Sequence, residues 1–142
     1  MSKEFEAEIA KYEDEDNFSV EPDEDGNAYH YEIIYTPPEE SDYAEGIYHL
    51  KCEVLANYPN AMPKITFANS IYHPNIDNEG GICKGYFDGC KTLKQMIDVI
   101  DDLLTNPQFE DVLRQDCRDT YNKNPQLFHD IAKQEARKLS GQ

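Results

Sequence analysis

Cys83 stands ten residues after His73, at the end of a loop that opens with His73-Pro74-Asn75 and passes through Gly80-Gly81. The polar, glycine-containing composition of residues 73 to 83 predicts irregular chain rather than helix or strand, with the glycine pair allowing a tight, backbone-exposed turn just before the thiol. A loop thiol is accessible and can act as a nucleophile. No general base accompanies it: the histidines are His30, His49, His73 and His129, and none sits in a Cys/His hydrolase signature. Pro74 restricts the backbone of His73, which suits that imidazole to holding the loop. A thiol without a base is a poor hydrolase but a good acyl carrier, because thiolate and thioester are nearly isoenergetic and exchange readily. Metal chemistry fits less well. His73, Cys83 and Cys90 are three soft ligands, but no CxxC pair is present and the spacings match no zinc module. Neither a metal nor a resident cofactor is expected.

The elements that position this loop are set by a very acidic chain. Its 142 residues hold 29 Asp and Glu against 13 Lys and Arg, a formal net charge of -16. Such a field repels phosphate backbones and anionic bilayers, so no nucleic acid or membrane partner is expected, while a basic partner surface is attracted. The length and a hydrophobic content of 39% suit one domain over residues 1–142. No apolar run approaches the roughly 18 residues of a membrane span. Residues 1 to 16 lack the regions of a signal peptide, and 139 to 142 carry no retention or lipidation signal. Cys52, Cys83, Cys90 and Cys117 are therefore read as reduced thiols, and the expected location is cytoplasmic or nuclear. The acidic clusters at 13 to 16 and 23 to 25 match no calcium loop and read as solvated surface.

Periodicity supplies the order of elements. Phe5, Ile9 and Tyr12 lie at helical spacing. Residues 18 to 22, 29 to 36, 46 to 55 and 64 to 68 read as strands, the first two separated by the turn residues Asp25-Gly26-Asn27. In the third, Tyr48, Leu50, Cys52 and Val54 alternate with polar residues, which points Cys52 into the core. Leu93, Met96, Ile97, Ile100, Leu103 and Leu104 mark a central helix, capped by Thr92 with Gln95 and stopped by Asn106-Pro107. Val112, Leu113, Cys117 and Tyr121 predict a helix over about 110 to 122. Asn124-Pro125 opens a last helix bearing Leu127, Phe128, Ile131, Ala132 and Leu139. The result is an α+β domain: an N-terminal helix, a four-stranded antiparallel meander, a long loop and three C-terminal helices.

This order and these motifs resemble the ubiquitin-conjugating enzymes. Tyr58-Pro59, Met62-Pro63 and residues 64 to 67 resemble that family's proline-rich entry into its fourth strand. Tyr72-His73-Pro74-Asn75 matches its His-Pro-Asn motif, with Gly81-Ile82-Cys83 at the family's spacing after it. The resemblance covers nearly the whole chain. It implies that Cys83 accepts ubiquitin or a ubiquitin-like modifier as a thioester from an activating enzyme, then passes it to a substrate lysine or works with a ligase. It implies that Asn75 stabilises the oxyanion or orders the loop, that His73 braces the loop, and that Asp111 orients and deprotonates the incoming lysine. Tyr72 is placed like a family aromatic on that lysine's path. Read as residues alone, Asn75 is equally a turn former and Asp111 a first-turn helix acid.

The departures from the family pattern lie in the docking regions. Glu4, Glu6, Glu8, Glu13 and Asp14 outnumber Lys3 and Lys11 in a first helix that is usually basic. Position 60 is Asn where many ligase-binding members are apolar; residues 84 to 92 are short and lack the tryptophan and the Ser-Pro-Ala motif, with Tyr86-Phe87 as a substitute for the packing of the former. Two functions follow from this mixture: a divergent modifier-carrying transferase, or a catalytically silent scaffold of the same fold that binds a modifier or a ligase. Silent relatives generally lack the cysteine, so its presence with Asn75 and Asp111 favours the transferase.

Overall fold

Alternating burial builds the sheet. In β3 (Tyr48–Glu53) the side chains of Tyr48, Leu50 and Cys52 are buried while Lys51 and Glu53 are exposed, the period-two pattern of a strand with one face on a core. The computed structural model describes residues 2–141, and places this strand between β2 (His30–Tyr35) and β4 (Lys64–Phe67), with β1 (Phe18–Pro22) outside β2. All three pairings are antiparallel between consecutive strands, so the sheet is a meander with the order β1-β2-β3-β4. Register places Tyr31 opposite Cys52 and Cys52 opposite Ile65, one row of the inner face.

α1 (Lys3–Ile9) starts at Ser2, whose hydroxyl accepts the Phe5 N–H at 3.1 Å, and tightens into a 3-10 turn over Ala10–Tyr12. Phe5 is fully buried against Tyr31 and Tyr58. The acids on this helix are not all solvated. The Glu8 carboxylate accepts hydrogen bonds from the hydroxyls of Tyr12 and Tyr58 and, at 2.7 Å, from the Leu93 N–H at the start of α2 (Leu93–Thr105). A carboxylate on a helix N-terminus is stabilised by the unpaired N–H groups and the dipole there. Glu8 thus ties the first helix to the central one.

α2 presents Leu93, Met96, Ile97, Ile100, Leu103 and Leu104 to the core, and Tyr35 reaches it from the sheet with a 2.6 Å bond to Asp101. Its start shows the predicted Thr92 cap, which accepts the Gln95 N–H at 3.1 Å; in return Gln95 Oε1 accepts the N–H of Lys91, one residue earlier than in a capping box. α3 (Gln115–Lys123) and α4 (Pro125–Arg137) follow, α4 capped by Asn124 as predicted. Two helix expectations are corrected. The third helix begins at Gln115, not near 110, because the N–H groups of Leu113 and Arg114 both donate to the Pro74 carbonyl and hold 112–114 in irregular chain. Leu127, expected on the inner face of α4, is 46% exposed, while Phe128, Ala132 and Ala136 are buried.

Candidate active site

The loop that carries Cys83 is fastened at three levels. Nearest the thiol, Asp77 organises the turn: its Oδ1 accepts the N–H groups of Glu79 and Gly81 at 2.8 Å each, and Ile76 bridges Ile82. Sequence reading missed Asp77, although an Asp ahead of Asn-Glu-Gly-Gly is an ordinary signal for such a turn. Gly80 then presses the loop on the sheet. It has φ +87°, its carbonyl accepts the Phe67 N–H at 2.9 Å, and a Cβ there would lie 2.0 Å from the Phe67 carbonyl oxygen. Gly80 is buried, so the expected backbone-exposed turn is instead a backbone-to-backbone contact with β4.

His73 supplies the next level. It is fully buried; Nε2 donates to the Leu103 carbonyl at 2.8 Å, and Nδ1 accepts the Asn75 N–H at 3.0 Å. With one nitrogen donating and the other accepting, the ring is the neutral tautomer and neither nitrogen is left for a metal. Burial depresses its pKa to about 4, with the Arg114 guanidinium acting in the same direction. The imidazole therefore spans the gap between the His-Pro-Asn corner and α2.

Asn75 makes the third connection. Its Nδ2 donates to the Gln108 carbonyl and its Oδ1 accepts the Gln108 N–H, both at 2.9 Å. The side chain is 1% exposed. This two-point clamp, with the Pro74 bonds to Leu113 and Arg114, brings the segment after α2 alongside the cysteine loop. Asp111 rides on that segment in irregular chain ahead of α3, which removes the reading of it as a first-turn helix acid.

These connections place Asn75, Cys83 and Asp111 on one cleft of about 310 Å³, completed by Gly85, Tyr86 and Leu113. Cys83 is exposed; Cys52 and Cys117 are buried, and burial raises both of those thiols to about 12. Cys90 is half-buried, and it too is raised, chiefly by burial. Tyr72 does not line this cleft. It stands under the Arg114 guanidinium, 5.2 Å from ring centre, and against Phe128, in a separate depression with Ser70 and Glu135. The aromatic side chain at the cleft is Tyr86, which sequence reading paired with Phe87 as packing; Phe87 alone joins the core.

A second group of ligand-type atoms lies elsewhere. Asp23, Asp25 and His30 place one each within 4.8 Å of one another, where His30 and Asp25 already pair at 2.6 Å.

The family model for ubiquitin-conjugating enzymes matches residues 1–136. The chain belongs to that family. Among curated proteins it is 33% identical over 112 residues to ubiquitin-conjugating enzyme E2 13 of Saccharomyces cerevisiae, covering 76% of this chain and 72% of the relative. It is 31% identical over 109 residues to ubiquitin-conjugating enzyme E2 N of Macaca fascicularis, covering 74% and 71%. Among solved structures, "a putative ubiquitin conjugating enzyme from Plasmodium yoelii" superposes with a TM-score of 0.87 at 26% identity, over 98% of this chain and 96% of that one. The expected α+β ubiquitin-conjugating fold is therefore the observed one, and the family is one of transferases.

Proposed function

We propose that this protein carries ubiquitin or a ubiquitin-like modifier as a thioester on Cys83, received from an activating enzyme and passed to a substrate lysine, directly or with a ligase. Family membership supports the carrier role. The observation that carries the assignment to Cys83 is the shared cleft, in which the exposed thiol, on a firmly held loop, stands with Asn75 and Asp111. In charging, the Cys83 thiolate attacks the incoming thioester, a new C–S bond forms and the activating enzyme's thiolate leaves. In discharge, Asp111 takes one proton from the lysine ammonium, the freed amine attacks the same carbonyl, the C–S bond breaks with the Cys83 thiolate as leaving group, and the second nitrogen proton passes to solvent. Asn75 orders the cleft through Gln108; its second Nδ2 hydrogen is the one available to the developing oxyanion. We place the protein in the cytosol or nucleus, where thiols stay reduced.

The test is charging with activating enzyme, ATP and ubiquitin, followed on gels with and without reductant. A modifier-sized shift that reductant removes, and that Cys83→Ala abolishes, supports the carrier. A folded protein that gives no shift with ubiquitin or a panel of ubiquitin-like modifiers contradicts it and leaves the scaffold function.

A further inference from the structure

Tyr86 belongs to no part of the loop's fastening, yet it stands beside the thiol. The chain leaves Cys83 as a 3-10 turn over Lys84–Phe87, and the Cys83 carbonyl accepts the Tyr86 N–H at 3.2 Å. That turn brings the Tyr86 side chain back to the cleft that Cys83 lines. Together with Asp111, Tyr86 also lines an adjoining groove of about 570 Å³ that runs along α2 past Asp98 and Asp102 to Gln108 and Glu110. Tyr86 and Asp111 are thus the two posts between groove and nucleophile. We infer that Tyr86 positions the acceptor amine in the discharge step, its ring walling the lysine methylenes and its hydroxyl accepting a hydrogen bond from the amine while Asp111 faces it from the other side.

This rests on the thioester reading of Cys83. The chemistry suits the residue. Burial, with the Cys83 thiol and the Asp111 carboxylate close by, raises the phenol above the ordinary tyrosine range, so it keeps its proton and is no competing base at neutral pH. Holding an amine in line with a carbonyl needs a flat apolar wall and one directional polar atom, and a tyrosine provides both. The acidic groove behind it holds four carboxylates, Asp98, Asp102, Glu110 and Asp111, which favour a cationic side chain on that approach. The aminolysis itself is unchanged: one ammonium proton to Asp111, nitrogen to carbonyl carbon, Cys83 thiolate out, the second nitrogen proton to solvent.

The experiment starts from equal amounts of purified ubiquitin thioester of the wild-type protein, Tyr86→Phe and Tyr86→Ala. Discharge is followed against free lysine over a concentration series, and against hydroxylamine, a nucleophile too small to need a wall. The expected result is a half-saturating lysine concentration raised about threefold in Tyr86→Phe and about tenfold in Tyr86→Ala. Discharge to hydroxylamine, which has no methylenes to wall, is expected to fall by less than discharge to lysine in each variant. Equal lysine discharge from all three thioesters overturns the inference while leaving the carrier function standing. So does a loss in Tyr86→Ala that is equal for lysine and hydroxylamine, since that marks a disturbed cleft instead of a lost acceptor contact. If the wild-type protein forms no thioester on Cys83, the proposed function fails first and this inference falls with it.

Discussion

Asn75 and Gln108 exchange two hydrogen bonds, side-chain amide to backbone amide, both at 2.9 Å. The pairing imitates one rung of an antiparallel sheet, made by a side chain. It has a functional consequence, because Asp111 lies three residues beyond Gln108 and faces the Cys83 cleft through this clamp. Under the proposed function, Asn75 acts as a positioning residue for Asp111 even before any oxyanion forms.

Replacing Asn75 by Ala removes both bonds and leaves the Gln108 backbone groups unpaired, which costs roughly 2 kcal/mol of stability. Asn75→Asp keeps the acceptor but turns a carboxylate toward the Gln108 carbonyl, so it costs at least as much. Urea denaturation of both variants, beside lysine discharge from their thioesters, checks this. Slow discharge with an unchanged unfolding midpoint would contradict the clamp and leave the oxyanion role alone.

His73 makes stability fall in acid. Its folded pKa, about 4, lies below the ordinary value of 6.5, so the unfolded chain takes up the proton first as pH drops. The stabilisation is fully present above about pH 6.5 and is lost between there and about pH 4, amounting to roughly 3 kcal/mol. His30 acts in the opposite direction, since its hydrogen bond to Asp25 raises it, but it is exposed and common to wild type and variant. Unfolding midpoints at several pH values should therefore show His73→Gln, less stable at neutral pH, converging on the wild type in acid. Parallel curves would show that the ring does not stay neutral.

Gly80→Ala tests the contact between loop and sheet. With φ at +87° and the Phe67 carbonyl oxygen 2.0 Å from the point a methyl carbon would occupy, no side chain fits without moving the loop off β4. The variant should keep a folded sheet and helices by circular dichroism yet charge at a small fraction of the wild-type rate, although Cys83 is intact. Normal charging would mean that the loop's seat on β4 is not what presents the thiol.

Glu8→Gln should destabilise the protein by on the order of 1 to 2 kcal/mol, since a neutral amide accepts more weakly from two tyrosine hydroxyls and the Leu93 N–H than a carboxylate does. The measurement is the urea midpoint, with the slope unchanged. An unaffected midpoint would return Glu8 to the solvated surface.

The parts of the molecule legible in the sequence are those decided locally. The Thr92 and Asn124 caps, the alternation in β3 and the apolar face of α2 each follow from side chains a few residues apart. The exposed Cys83 thiol, against the buried Cys52 and Cys117, was legible for the same reason, as a cysteine off any apolar stripe. What was not legible depends on distant chain. Val112 and Leu113 have helical spacing with Cys117, but Pro74, about forty residues earlier, captures the N–H groups that a helix needs. Tyr72 adjoins the His-Pro-Asn corner in sequence, yet it packs against Arg114 and Phe128 and lines a depression separate from the thiol's cleft. Tyr86 reaches the cleft because of a 3-10 turn that no periodicity announces. Glu8 reads as one more surface acid until α2 is folded against it.

Everything proposed for this protein depends on Cys83, and no other thiol, carrying the modifier. Charge the protein with activating enzyme, ATP and ubiquitin, weigh the intact adduct, and map it after cleavage at Lys and Arg without reductant. The predicted adduct has the mass of protein plus one ubiquitin less one water, and its remnant lies on the peptide Ile65–Lys84, in which Cys83 is the single cysteine. An adduct on the peptide holding Cys90, or none at all on folded protein, contradicts the assignment.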